Sequence, residues 1–180
     1  GEWGGKMQTD LLDGVAFLAA RGDADPARVC IAGASFGGYA ALAGATLHPD
    51  AYRCAISVAG IADLPQLLLE EGRLYGRDSD SLNALRDELG AASREKLVKS
   101  SPRMNLGSLH VPILLIHGAK DTVVHVAQSE RMAESLKAAG KPHELMILQD
   151  ENHYFTKAAN RTRMLEAVEA FLAKNLPAAN

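Results

Sequence analysis

Val29-Cys30-Ile31-Ala32-Gly33-Ala34-Ser35-Phe36-Gly37-Gly38-Tyr39 is the stretch on which the reading of this chain turns. Residues 29–32 form a short apolar run of strand type. Gly33 to Gly37 then fits G-x-S-x-G, and a small-residue-rich helical pattern over residues 37–48 follows, stopped by Pro49-Asp50. A serine flanked in this way, after a strand and before a helix, has the form of a nucleophile elbow. Ser35 must sit on a turn so tight that the residues two positions away on each side cannot carry bulky Cβ substituents. Gly33 and Gly37 meet that demand, and Gly38 extends the glycine-rich corner. The helix starting there aims its first amides at the place where negative charge would develop. The plainer reading is a glycine-rich turn with a bystander serine; the strand and helix on either side speak against it.

The alternation continues outward. Leu11, Leu12, Val15 and Leu18 mark one face of a helix stopped by Arg21-Gly22, and Asp23 to Pro26 reads as a turn. Residues 54–59, 111–116 and 143–148 read as further strands. Residues 125–139 predict a helix with Met132, Ala133 and Leu136 inward and Gly140 as its stop. Residues 161–175 predict another, with Met164, Val168, Phe171 and Leu172 on one face. Strands that are apolar throughout, separated by helices, mean a parallel sheet covered by helices on both faces, the α/β class. Residues 60–108 break the rhythm. Leu67-Leu68-Leu69, then Leu82, Leu85 and Leu89 at helical spacing, predict a helical excursion near the carboxyl ends of the strands. Open α/β sheets bind ligands at that edge.

The chain has 180 residues, 47% of them hydrophobic, which is one domain with a sizeable core. A net charge of −3 gives no electrostatic case for nucleic acid. No run of 18 apolar residues exists, so no membrane span is expected. Cys30 and Cys54 are too few for a disulfide framework or a metal cluster, and both read as small buried hydrophobes. H-E-x-x-H, paired C-x-x-C and nucleotide-binding glycine loops do not occur, so neither a metal nor a cofactor is expected. Gly1-Glu2-Trp3-Gly4-Gly5-Lys6 has neither an initiating Met nor the form of a signal peptide, and reads like the middle of a longer protein.

A nucleophilic serine needs a base and a carboxylate to orient it. In this topology they follow in the order Ser, Asp/Glu, His, each just past a strand. His117-Gly118-Ala119-Lys120-Asp121 follows the third strand and supplies Asp121. Gln149-Asp150-Glu151-Asn152-His153 follows the fourth and supplies His153. The remaining histidines have plainer readings. His48 ends a helix, His110 and His143 sit at strand starts, and His117 shapes the loop before Gly118. His125, opening a helix near Asp121, is the one rival base. Asp150 and Glu151 are too close to His153 in the chain to face its ring.

Together with the elbow, Trp3-Gly4-Gly5-Lys6, Ser101-Pro102, the run from His117 to Val124 and Glu151-Asn152-His153 resemble the catalytic domain of the prolyl oligopeptidase family, in its acylaminoacyl-peptidase-like and dipeptidyl-peptidase-like branches. The resemblance covers essentially the whole chain. It implies an α/β-hydrolase fold over residues 1–180, lacking the first strands of the domain, and a serine peptidase that cuts short peptides or acyl-peptides. It implies a β-propeller and an N-terminal part of the domain upstream, and the amide of Phe36 as one oxyanion donor. The second donor in the family is a tyrosine hydroxyl from an early loop, which nothing here matches. Ile61, Leu64 and Leu67, joined by Val123 and Val124, are expected to form an aliphatic substrate pocket. Val123 stands where proline-specific members carry Arg or Asn, so strict proline specificity is not expected.

Two other readings stand beside the peptidase: a carboxylesterase using the same three residues, and an inactive fragment. Without an earlier strand, one edge of the first strand would face nothing, so the isolated chain is expected to self-associate or to require the rest of its domain.

Overall fold

A computed structural model describes residues 1–90 and 93–177. Four strands, β1 (Cys30–Ala34), β2 (Cys54–Val58), β3 (Ile113–Gly118) and β4 (His143–Leu148), form one sheet in the order β1-β2-β3-β4, every pair parallel. Each strand lies within two residues of its expected position. The third begins later than expected, because Pro112 has no N–H to give the ladder; its carbonyl instead accepts from Ala55. Among the described residues seven helices surround the sheet: α1 (Lys6–Ala20), α2 (Phe36–Leu47), α3 (Leu64–Tyr75), α4 (Asp80–Glu88), α5 (Arg94–Lys99), α6 (Ala127–Ala138) and α7 (Ala158–Asn175).

All six residues of β3 are buried, and its side chains alternate between two cores. Ile113 and Leu115 join Leu42 and Ala45 of α2 and Met132, Ala133 and Leu136 of α6. Leu114 and Ile116 face the other way, onto Phe171 of α7 with Met164, Val168 and Leu172 beside it. Helices therefore cover both faces, and an apolar strand is the only kind that suits such a position. Helix α2 is buried from Gly38 to Thr46, and its small side chains let it lie close against β1 and β2.

Between β2 and β3 run α3, α4, α5 and a short 3-10 turn at Pro102–Met104. Polar ties that the sequence pattern does not signal hold this segment down. Gln128 of α6 accepts from the amides of Ala62 and Asp63 through its Oε1, and Arg103 makes two hydrogen bonds to Asp63 Oδ2, at 2.9 and 2.7 Å. Asp63 in turn caps α3 by accepting from the Gln66 amide.

One expectation is corrected. Cys30 and Cys54 are not free hydrophobes: they stand directly opposite across β1 and β2, with Cα atoms 4.7 Å apart, and form a disulfide. Parallel register brings together residues 24 apart in sequence, which no local pattern reveals. The helix expected over Leu11, Leu12, Val15 and Leu18 is α1, and its apolar face is largely exposed. Gln8 is its one buried residue, while Leu11 and Leu18 are 41% and 44% exposed. Among the described residues β1 pairs only with β2, so nothing stands beyond β1 for that face of α1 to cover.

Closing a loop of this length restricts the unfolded chain, and the Cys30–Cys54 bond should contribute about 3 kcal/mol. Reduction, or the double change Cys30→Ala and Cys54→Ala, is expected to lower Tm by about 10 °C in a domain of this size. Calorimetry with and without reductant reads the difference directly, and coincident transitions would count against the bond.

Candidate active site

Ser35 occupies the corner between β1 and α2 with φ 56° and ψ −121°. A non-glycine residue at positive φ is strained, and such strain gathers at functional corners. The corner survives because Gly33 lies directly against the backbone of Gly37; a Cβ on Gly33 would overlap the Gly37 carbonyl. At Gly37 itself an added Cβ meets nothing within 4 Å, so the steric demand falls on Gly33 and not equally on both, as expected from the motif. Gly38 is required for a separate reason, the approach of Gly60, whose Cα would lie 2.7 Å from an added Cβ. Phe36 opens α2, so its amide has no acceptor within the helix. Its ring packs edge-on against Trp3, centroids 4.7 Å apart, and Trp3 also stacks on Tyr39, which braces the head of α2 from the N-terminal side.

The loops after β3 and β4 bring the other two candidates to this corner. His153 Nε2 lies 3.0 Å from Ser35 Oγ, and His153 Nδ1 lies 2.7 Å from Asp121 Oδ2. Asp121 Oδ1 accepts from the amides of Val123 and Val124, each at 2.9 Å. Burial works against the charge of Asp121. Hydrogen bonds from His117, His153 and these two amides outweigh it, so its pKa lies below the ordinary carboxylate value. The carboxylate thus stays ionised, with one oxygen fixed by the loop and the other turned to His153.

The rival residues lie elsewhere. His125 is exposed, its Nδ1 accepting from the Ala127 amide. His110 is exposed, and His143 bonds to the Lys141 carbonyl. His48 closes α2, its amide bonded to Gly44. Asp150 pairs with Lys157 and Asn160, away from the His153 ring.

Glu151 has a part that sequence reasoning did not assign. It is fully buried, and its carboxylate accepts from the amides of Asn152, Thr156 and Lys157 and from Asn160 Nδ2. Burial opposes its charge, yet these donors prevail and hold its pKa at about 2. The buried carboxylate pins the loop that carries His153. Its pKa is depressed relative to the unfolded chain, so its stabilisation is present above the unfolded value near ~4.3 and is lost as pH falls from there toward about 2. The stability gap between the native protein and Glu151→Gln should therefore shrink between about pH 5 and pH 2. Urea denaturation across that range measures it; a constant gap would mean that the carboxylate is not charged in the folded state.

The expected pocket divides in two. Ile61, Leu64 and Val124 are buried in an apolar cluster with Trp3 and Tyr39. Leu67, buried in the same cluster, also reaches an open cleft of about 340 Å³, which it lines with the exposed Val123 and which Glu70, Glu71, Lys120 and His125 also border. Apolar side chains that fill a core and those that wall a cleft read alike in sequence, and the charged rim was not anticipated.

A parallel sheet covered by helices, with a serine corner after one strand and an aspartate and a histidine beyond later strands, defines an α/β-hydrolase fold. The chain belongs to the prolyl oligopeptidase family, whose model matches residues 1–178. Dipeptidyl aminopeptidase BIII of Pseudoxanthomonas mexicana is 32% identical over 98% of this chain and 26% of its own length. A puromycin-hydrolyzing peptidase of Mycobacterium tuberculosis superposes with a TM-score of 0.81 at 30% identity, over 97% of this chain and 26% of that one. Pyrococcus horikoshii acylaminoacyl peptidase shares the fold, with a TM-score of 0.83 at 24% identity, over 99% of this chain and 29% of that one. The chain thus spans about a quarter of the length of the relatives it matches.

Proposed function

We propose that the protein carrying this chain is a serine peptidase acting on short peptides or acyl-peptides through an acyl-enzyme formed on Ser35. The observation that carries the reading is the continuous hydrogen-bonded series Asp121–His153–Ser35 at the head of α2. In the proposed reaction Ser35 Oγ attacks the substrate carbonyl while His153 Nε2 takes its proton. Asp121 holds the ring so that Nδ1 keeps its hydrogen and Nε2 is free to accept. The Phe36 amide donates to the oxyanion, in line with the field at the start of α2. His153 then passes its proton to the leaving amine, and water repeats the sequence to release the acid and restore Ser35. Leu67 and Val123 receive an apolar side chain in the cleft beside the Asp121 loop. Further parts of the protein, an upstream propeller among them, belong to the same proposal; without them, residues 1–180 would self-associate through the edge of β1.

A serine-directed phosphonate tests the reading on the full-length protein and on Gly1–Asn180 alone. Labelling at Ser35, located by peptide mass mapping, supports the nucleophile; absence of labelling in the full-length protein would overturn it. Rates on an aminoacyl ester and the matching anilide then separate a peptidase from a carboxylesterase, since a pure esterase would turn over only the first.

A further inference from the structure

His117 is completely buried beneath the proposed site, and the chemistry set out above makes no use of it. Its ring is held on both sides. Nδ1 lies 2.7 Å from Ser129 Oγ on α6, and Nε2 lies 2.9 Å from the Val124 carbonyl and 3.2 Å from Asp121 Oδ2. A carbonyl and an ionised carboxylate can only accept, so Nε2 must carry the hydrogen that serves both. In the neutral ring Nδ1 is then an acceptor, and the Ser129 hydroxyl donates to it. Ser129 is itself 1% exposed, and its backbone is fixed in the first turn of α6.

Asp121 Oδ2 is consequently shared between two imidazoles, His153 on the side of Ser35 and His117 on the side of the core. The carboxylate faces four N–H groups: those of Val123 and Val124 at Oδ1, and those of His153 at 2.7 Å and His117 at 3.2 Å at Oδ2. Oδ1 alone leaves the group free to tilt about its link to the loop. The N–H approaching from the core side constrains the plane of the carboxylate, and so the direction of the bond to His153.

We infer that His117 is a positioning residue of the reaction: oriented by Ser129, it sets the angle at which Asp121 presents Oδ2 to His153. This rests on the proposed function. Misplacing a reacting group by about 1 Å can cost on the order of 10²-fold. His117→Leu should therefore lower kcat by about 10–100-fold with KM within about twofold. His117→Gln retains an N–H at the Nε2 position and an acceptor for Ser129, and should recover most of the loss. Ser129→Ala keeps the ring and disturbs packing least, and should lower kcat by about three- to tenfold, which keeps the test open if His117→Leu does not fold.

The deciding measurement is a double-mutant cycle in the full-length protein, with an aminoacyl ester as substrate. In an Asp121→Ala background, neither His117→Leu nor Ser129→Ala should reduce kcat further, because the group they orient is gone. Equal losses in both backgrounds, or full kcat in Ser129→Ala together with His117→Leu, would overturn the inference. A wild-type protein that neither reacts with the phosphonate nor hydrolyses the ester refutes the proposed function itself, a result distinct from either of these.

Discussion

Replacing Ser35 with alanine is expected to lower kcat for an aminoacyl ester by about 10⁴–10⁶, the scale seen when one member of a concerted set is lost. His153 Nε2 would then face a methyl group in place of a hydroxyl at 3.0 Å, and no acyl-enzyme could form at this position. Residual turnover would come from the Phe36 amide and from binding alone. Stability should hardly change. The strained corner at φ 56° is imposed by the contact between Gly33 and Gly37, and alanine inherits it without adding bulk. The check is a pair of measurements on one preparation, turnover and thermal unfolding. Activity within tenfold of the native protein would remove Ser35 from the chemistry.

The second large effect is expected at Asp121. Asp121→Asn preserves shape, and the side-chain oxygen can still accept from the Val123 and Val124 amides. The amide nitrogen then faces His153 Nδ1 across 2.7 Å, as donor in place of acceptor. The ring responds by carrying its hydrogen on Nε2, the atom that must accept the Ser35 proton. A loss of about 10³–10⁴ in kcat follows, since the wrong tautomer removes the base while leaving the geometry intact. Phosphonate labelling of Ser35 should slow in parallel. If neither labelling nor ester turnover slows, Asp121 serves only the loop.

The features legible in the sequence were those written locally. The elbow is a contiguous motif, and its strand and helix lie directly on either side. Asp121 and His153 were found by asking which residues follow the third and fourth strands, a question of topology that apolar runs answer. What was missed depends on long-range register or on side-chain direction. The Cys30–Cys54 bond needs the pairing of β1 with β2 to be known first. Gly37 looked as constrained as Gly33, because the motif does not say which glycine has its missing Cβ turned toward the other. Ile61, Leu64 and Leu67 all entered the core and only Leu67 also reaches the cleft, although all three are aliphatic residues within seven positions of one another. Glu151 was set aside as a rival to Asp121. Its own task became visible only once the loop had folded around its carboxylate.

The order of the sheet carries one more consequence, and it concerns time. Strands β1 to β4 lie side by side in the order in which they are synthesised, so each can dock on the edge of the one before it as the chain leaves the ribosome. Ser35 comes with the first strand and Asp121 with the third, but His153 lies beyond the fourth. On the proposed function, a nascent chain with β1 to β3 in place still lacks a base at the elbow. The proposed power to cut neighbouring nascent polypeptides would arise only after β4 has joined the sheet.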